Sequence, residues 1–403
     1  MTNLIFDLSN IAFRSMFIVG GYGAKQFTFD SQSEIDQLVR KIAMDVSFIT
    51  RLINPSRIIL ALDAKSWRKD INIEENEGYK SGRVKSKMIN WDNVYKALDD
   101  FTSIMETQGM IVTKIENAEA DDVIAMWVDE FLYIQQQHAI TVSGDEDVRQ
   151  LVKTFKTNNG KNVYSTVFNP FMQGKNANRK LYVSKEFESW INTIDVVDIF
   201  NMKGSIDVDK EDFKKIITAE KTKMELTDGK MIALRKVFCG DDGDDVPAFF
   251  SWLIRDVDGS ILKDKNGEDR KDRITNGKFE KIYEGLLIHP NEEIDYTHVF
   301  ERQAKLQNLI EKVTKQKLPF KVFDRLNRQF KLVVLNPAFF PEKIQKDFQE
   351  LKEKQLARPR VNYAASNMYN LLEGSRYVNE RKKGNESSIF SQIDNANKGK
   401  SLF

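Results

Sequence analysis

Nine carboxylates are spaced through the first 245 residues in five groups, most of them where an apolar run gives way to a polar one. They are Asp7 in LIFDLSN, Asp63 in IILALDAK, Glu119, Asp121 and Asp122 in ENAEADDVIAMW, Asp145 and Asp147 in TVSGDEDV, and Asp241 and Asp244 in CGDDGDDVP. Singly, each has a structural use: an aspartate after a strand forms a turn, EADD supplies negative charge to a helix start, and Asp145–Asp147 can cap a short helix through Val148–Val152. Gathered at one point, carboxylates repel, raise one another's pKa and cost stability unless a cation neutralises them. A divalent metal site is the chemistry that accounts for all of them together.

Other metal chemistries are poorly supplied. The chain has one cysteine, Cys239, and three histidines, His138, His289 and His298, too few and too scattered for a Cys/His zinc site or a disulfide. Oxygen ligands point to Mg²⁺, with Mn²⁺ able to substitute. At 403 residues, 41% hydrophobic and 30% charged, the chain reads as globular, and no apolar run approaches membrane-spanning length or resembles a secretion signal, so a cytoplasmic protein is expected. Its 61 basic and 60 acidic residues leave a net charge of +1. An acid-rich pocket offset by basic segments elsewhere gives the same sum, so the distribution of charge decides more than the total.

The elements that must position the acids read as alternating strand and helix: a strand at Thr2–Phe6, a helix at Glu34–Leu52, a strand at Arg57–Leu62, a helix at Trp91–Gln108, a strand at Met110–Ile115, a helix at Ala120–Gln137 and a strand at Ala139–Val142. This order predicts an α/β, doubly wound, mainly parallel sheet, whose ligands sit beyond the carboxyl ends of the strands. Asp7, Asp63 and Asp145 follow predicted strands closely, while the Glu119 group opens a helix. In an ideal helix Glu119 and Asp122 share a face and Asp121 turns away.

The ordered series FD, LD before a basic segment, EADD, SGDED and GDxxD resembles the 5′-nuclease superfamily of flap endonucleases and 5′→3′ exonucleases, and within it the T-even phage ribonuclease H group. The likeness covers roughly residues 1–155 and 237–250. It implies a PIN-like metal-dependent phosphodiesterase in which Asp7, Asp63, Glu119, Asp121 and Asp145 are the more direct ligands, Asp147, Asp241 and Asp244 complete the set, and Asp122 supports it. Two departures stand out: Asp245 and Ala248 replace the Asn and Gly of the usual GDxxDNxPG, and the glycine-rich helix–hairpin–helix turn does not follow Pro247. Two-metal hydrolysis needs neither a histidine nor a covalent nucleophile, which suits this composition.

Directly after Asp63, SWRKDINIEENEGYKSGRVKSKM interleaves Lys65, Arg68, Lys69, Lys80, Arg83, Lys85 and Lys87 with Trp67 and Tyr79. Cations for phosphates and aromatics for unpaired bases are what a single-strand gateway requires. The resemblance makes residues 64–90 a helical arch over the site, with Lys80 and Arg83 reaching the scissile phosphate.

The expected organisation is a nuclease core over 1–250 with an insertion at 156–236, a mostly α-helical, DNA-binding region over 251–375 and a flexible tail over 376–403. Val163, Tyr164, Val167 and Phe168 suggest a hairpin, KDKNGEDRKDR at 263–273 a hydrophilic loop, and Lys331–Leu335 a helix or short strand. Gly277 and Lys278 precede a helix that could cradle a phosphate. The ending Ser401–Leu402–Phe403 resembles a tail that binds a sliding clamp; a single-strand-binding protein is the other candidate partner. The expected activity is Mg²⁺-dependent 5′→3′ exonuclease and flap endonuclease cleavage with ribonuclease H-type action on RNA–DNA hybrid, removing primers and flaps in DNA replication. A PIN-like ribonuclease and a non-catalytic, structure-specific DNA-binding protein are the alternatives. A haloacid-dehalogenase-type phosphatase is disfavoured by Ser9, where a second Asp is needed.

Overall fold

The structure, a computed structural model, describes residues 1–20, 28–53, 55–73, 78–83, 86–171, 178–193, 208–219, 222–289 and 292–358. Lys85 and the tail residues Ser401, Leu402 and Phe403 lie outside these. In chain order the elements are β1 (Thr2–Asp7), α1 (Leu8–Gly20), α2 (Gln32–Leu52), β2 (Arg57–Ala61), α3 (Trp91–Thr107), β3 (Ile111–Thr113), α4 (Ala120–Asp129) and β4 (His138–Val142). β5 (Lys153–Lys156), β6 (Asn162–Asn169), β7 (Arg179–Val183), α5 (Lys185–Asn192), α6 (Val208–Thr218), β8 (Thr222–Leu226) and α7 (Gly229–Cys239) follow. The rest comprises β9 (Ser251–Leu253), β10 (Lys271–Arg273), α8 (Asn276–Leu286), α9 (Tyr296–Glu301), α10 (Gln303–Thr314), α11 (Val322–Val333) and α12 (Glu342–Leu356).

Eight strands form one sheet in the order β3-β2-β1-β4-β6-β7-β8, with β5 paired to β6. The pairs from β3 through β6 are parallel, as the alternation of strand and helix requires, and β6 meets both β5 and β7 antiparallel. Side chains alternate across the sheet: Leu4, Phe6, Ile58 and Leu60 face the cluster under α2 and α3, whereas Ile5, Ile59 and Ala61 face α4. With both faces covered, β1 is buried along its whole length.

The segment at 156–236 extends the sheet. Val163, Tyr164, Val167 and Phe168, expected to form a hairpin, all lie on the one strand β6, which pairs antiparallel with β5 before it and β7 after it, and β7 and β8 add a parallel pair at the edge. A third cluster joins α7, α8, α10 and α11 through Phe238, Phe249, Phe279, Leu306 and Phe330. α12 leaves that region and packs on α4, where Phe348 meets Trp127 edge-on at 5.2 Å, so residues within 251–375 serve two different cores. The loop expected at 263–273 is instead part of a small antiparallel ribbon: β9 pairs β10, with further bridges at Arg255–Ile261 and Lys263–Asp269. Its turns place Gly259 and Gly267 at positive φ. Lys331–Val333 ends α11 and Val334–Leu335 is extended, so no strand forms there.

The helical arch needs correction. Among the described residues of 64–90 there is one 3-10 turn, Trp67–Asp70, and no α-helix. Ile73 and Tyr79 are buried in the third cluster, and the chain from Gly78 to Arg83 lies on the acids, drawn there by apolar burial and ion pairing. No helix among the described residues is long and apolar enough to cross a membrane.

Candidate metal centre

The parallel strands deliver the acids as anticipated. Asp7 ends β1, which lies between β2 and β4, and Asp63 and Asp145 follow the carboxyl ends of those two neighbours. Asp7 is 3% exposed; the Asn10 amide donates to it at 3.0 Å and the Ser143 hydroxyl at 2.8 Å. Ser143 also receives the Asp145 amide, and Asp145 receives the Asp147 amide at 2.9 Å, which folds SGDED into a compact turn. Asp63 accepts the amide of Ala120, the first residue of α4, at 2.7 Å, so a helix N-terminus faces the carboxylate.

Asp241 and Asp244 sit in a loop closed by a two-way bridge between Asp241 and Val246. Gly240 enters it at φ 79°, where a Cβ would stand 2.5 Å from the Val246 carbonyl, so glycine is required. The loop brings carboxylate oxygens of Asp147, Asp241 and Asp244 within 4.8 Å of one another. A cleft beside them is lined by Arg68, Tyr79, Glu119, Asp121, Asp147 and Asp244 together with the apolar Leu332, Val333 and Leu335.

The electrostatics are those of crowded acids. Burial, then the charge of Asp63, pushes Asp7 up to about 7. Burial, relieved by Lys236 and reinforced by Asp145, pushes Asp147 up to about 6. Asp121 is raised well above its ordinary value by burial and by Asp145, Asp7 and Asp147, and Asp63, though open at one edge, is raised by lost hydration and by Glu119. Glu119 goes the other way: burial alone would raise it, but Lys80 and Arg68 hold it down to about 2.

Within EADD, Glu119 is the extended N-cap of α4 and shares Arg68 with Asp122, as their i, i+3 spacing predicts, while Asp121 turns away from that pair toward Asp7, Asp145 and Asp147. Asp122, expected to support the metal set, is fully buried. It accepts from Arg68 at 2.7 and 3.0 Å, from the Trp67 indole at 3.1 Å and from the Glu119 amide at 3.1 Å, leaving no oxygen for a metal. Arg68 is correspondingly removed from the nucleic-acid set, because it is 2% exposed and spent on Asp122 and Glu119. Tyr79, 5% exposed, cannot stack on a base; its hydroxyl donates to Asp244 at 2.9 Å and lies 3.1 Å from Glu119.

Lys80 and Arg83 do reach the acids. Lys80, at φ 55°, places its ammonium 2.5 Å from Glu119 and 3.5 Å from Asp244, while half-exposed Arg83 pairs with Asp244. Backbone contacts fix this turn on the loop: the Lys80 amide donates to the Asp244 carbonyl at 2.9 Å and the Gly82 amide to Asp245 at 2.8 Å. Lys65, Lys69 and Lys87 are exposed at the same segment. Lys278 is committed elsewhere: its ammonium is held by Asp272 at 2.8 Å and by the Arg273 carbonyl at 3.0 Å, over the Trp252 ring, so the proposed cradle keeps only the exposed Gly277.

Sequence reasoning missed Lys236, whose ammonium bridges Asp147 and Asp241. It lies on α7 beside Arg235. Only the helix phase distinguishes the two, and no local motif marks it. Ser9, Ser66 and Ser143, which donate to or receive from the acid loops, were equally invisible because serine near aspartate is commonplace.

Residues 2–180 match the 5′-3′ exonuclease N-terminal, resolvase-like domain family. No curated protein sequence matches the chain. Among solved structures it is similar to a bacteriophage T5 protein co-crystallised with metal ions, at 14% identity over 88% of this chain and 100% of that one, with a TM-score of 0.47. It is also similar to a bacteriophage T5 flap endonuclease in a pseudo-enzyme–product complex with DNA and metal ions, at 16% identity over 88% and 100% of the two chains, with a TM-score of 0.44. A T5 5′-exonuclease with zinc bound matches at 16% identity over 88% of this chain and 100% of that one, with a TM-score of 0.42. What the comparisons thus show is an amino-terminal region, residues 2–180, that matches the 5′-3′ exonuclease N-terminal, resolvase-like domain.

Proposed function

We propose that the protein is a divalent-metal-dependent 5′-nuclease that hydrolyses phosphodiester bonds near 5′ ends and so removes flaps and RNA primers from duplex DNA during replication. The observation that carries this reading is the convergence of Asp147, Asp241 and Asp244 to within 4.8 Å, next to Asp7 and Asp121 with raised pKa values and directly beneath Lys80 and Arg83. Buried carboxylates that raise one another's pKa fit a divalent cation, and an all-oxygen donor set favours Mg²⁺, with Mn²⁺ as substitute. Asp7, Asp63, Asp121, Asp145, Asp147, Asp241 and Asp244 would hold the metal, which when bound supplies an activated water and neutralises the leaving oxygen.

The chain's own groups do the rest. Lys80 and Arg83 present cations at the mouth of the site, where non-bridging phosphate oxygens would replace the carboxylates they now touch. Exposed Lys65, Lys69 and Lys87 attract the strand toward that mouth. Leu332, Val333 and Leu335 keep water from one wall of the cleft, which strengthens every charge interaction within it.

A Mg²⁺ titration of cleavage on 5′-labelled flap, nicked and RNA-primed duplexes, beside Asp145→Asn, tests the reading. Products that depend on both the 5′ end and Mg²⁺, and that Asp145→Asn abolishes, are expected. Absence of 5′-dependent cleavage on all three substrates would overturn it.

A further inference from the structure

Asp245 stands where the usual motif has Asn, and the structure gives its side chain a partner from another part of the chain. Its Oδ2 accepts the Gly82 amide at 2.8 Å, across 163 residues. Asp245 is half-buried and its backbone is left-handed, at φ 56°, a conformation that Asn and Asp tolerate better than other side chains. Gly82 lets the two approach, because a Cβ there would stand 3.2 and 3.3 Å from the Asp245 carboxylate oxygens. The contact is built from both sides, by a residue that suits its turn and a glycine that leaves room for it.

This contact differs in kind from the ion pairs that hold the Lys80–Arg83 turn. Lys80 pairs with Glu119 at 2.5 Å, and Arg83 pairs with Asp244. Those two cations would turn to phosphate oxygens when a strand enters, and their pairs with the acids are lost in the exchange. Within the turn two contacts survive it, because neither uses a cationic side chain: the Lys80 amide on the Asp244 carbonyl, at 2.9 Å, and the Gly82 amide on Asp245. They flank Ser81 and pin the turn on both sides of it. Of the two, only the second depends on a side chain.

Building on the nuclease reading above, we propose that Asp245 is a positioning residue, whose hold on the Gly82 amide keeps the Lys80–Arg83 turn over the acids while those two cations exchange carboxylates for phosphate. Without that hold the backbone of the turn follows its side chains, and a cation displaced by about 1 Å from the reacting phosphate gives up much of its effect. Asparagine at this position offers a carbonyl oxygen to the same amide, so the hydrogen bond, and not the negative charge, is the property that matters.

The test compares Asp245→Gly, which suits the left-handed backbone and removes the acceptor, with Asp245→Asn, which keeps an acceptor. Hydrogen exchange read by mass spectrometry, without Mg²⁺ or DNA, reports the anchor directly. Peptides covering residues 79–83 should exchange about tenfold faster in Asp245→Gly and at the wild-type rate in Asp245→Asn, with β1 peptides unchanged in both. Single-turnover cleavage of a 5′-labelled flap at saturating protein and Mg²⁺ should slow about 10- to 100-fold in Asp245→Gly and stay within about threefold of wild type in Asp245→Asn. The Mg²⁺ concentration for half-maximal rate should move by less than about twofold in either variant. Because Asp245 neighbours Asp244, a shift of about tenfold would assign the effect to the acid loop and overturn the proposal. Unchanged exchange at 79–83 in Asp245→Gly, an unchanged cleavage rate, or equal impairment of the two variants would overturn it as well. Absent cleavage by the unmodified protein would sink the nuclease reading instead, and the exchange measurement would still decide whether Asp245 holds the turn.

Discussion

The guanidinium of Arg68 lies 4.8 Å from the Trp67 ring centre and 5.8 Å from that of Phe340, with Asp122 and Glu119 as its counter-charges. From the sequence it is one cation in a basic run, indistinguishable from Lys65 and Lys69. Burial decides its role, because a charge out of water must be paired and Asp122 is fully buried. Arg68→Ala would strand that carboxylate, with an expected loss of about 3–5 kcal/mol in urea unfolding, since removing one partner of a buried pair leaves the other uncompensated. Lys69→Ala, at an exposed position, should fall within about 0.5 kcal/mol of wild type. A loss under about 1 kcal/mol for Arg68→Ala would show that the pair is not structural. Asp121 and Asp122 teach the same lesson: adjacent acids of identical type are separated by helix phase, one facing Asp7, Asp145 and Asp147 and the other locked to Arg68.

At the scale of elements, α12 ties the C-terminal part of the described chain to the central sheet. Ile344 and Phe348 enter the cluster of α4, and Lys352 pairs with buried Glu130 at 2.8 Å. Phe348→Ala should therefore cost about 3–5 kcal/mol, the usual range for truncating a buried aromatic, and alter the fluorescence of Trp127 against which it packs. If α12 were an independent appendage, global stability would not change. The helix at 342–356 was legible from its periodicity, but its docking on α4 was not, because an amphipathic stripe states that a face is buried and not against what. α1 was missed for a related reason: LSNIAFRSMFIVG follows β1 without a turn signal to separate them.

For the molecule as a whole, the acid cluster sets how stability responds to pH and metal. Asp7 at about 7 and Asp147 at about 6 bind more protons in the folded state than in the unfolded state between about pH 4 and those values. Stability without metal therefore falls as pH rises through that window, and Asp7 alone, displaced from 3.8, is worth on the order of 4 kcal/mol at neutral pH. Glu119, held at about 2, has the opposite sign, but its contribution is fully present above about pH 4.5 and leaves the window unaffected. Thermal unfolding in a chelator should thus show a melting temperature that declines from about pH 4.5 to 7. Saturating Mg²⁺ at pH 7 should raise it, because a ligand bound only by the folded state stabilises that state. A flat profile with no response to Mg²⁺ would contradict the cluster as described.

The sequence by itself determined the parallel sheet, the strand ends at which Asp7, Asp63 and Asp145 emerge, and the all-oxygen character of the site. These follow from local periodicity and residue type, which short stretches of chain record. Tertiary structure alone decided which acids face inward, that Arg68 and Tyr79 are buried supports, and that Lys236 reaches Asp147 across 89 residues. Those outcomes depend on helix phase and on contacts between segments distant in sequence, and no local motif encodes which of two neighbouring charges will lose its water.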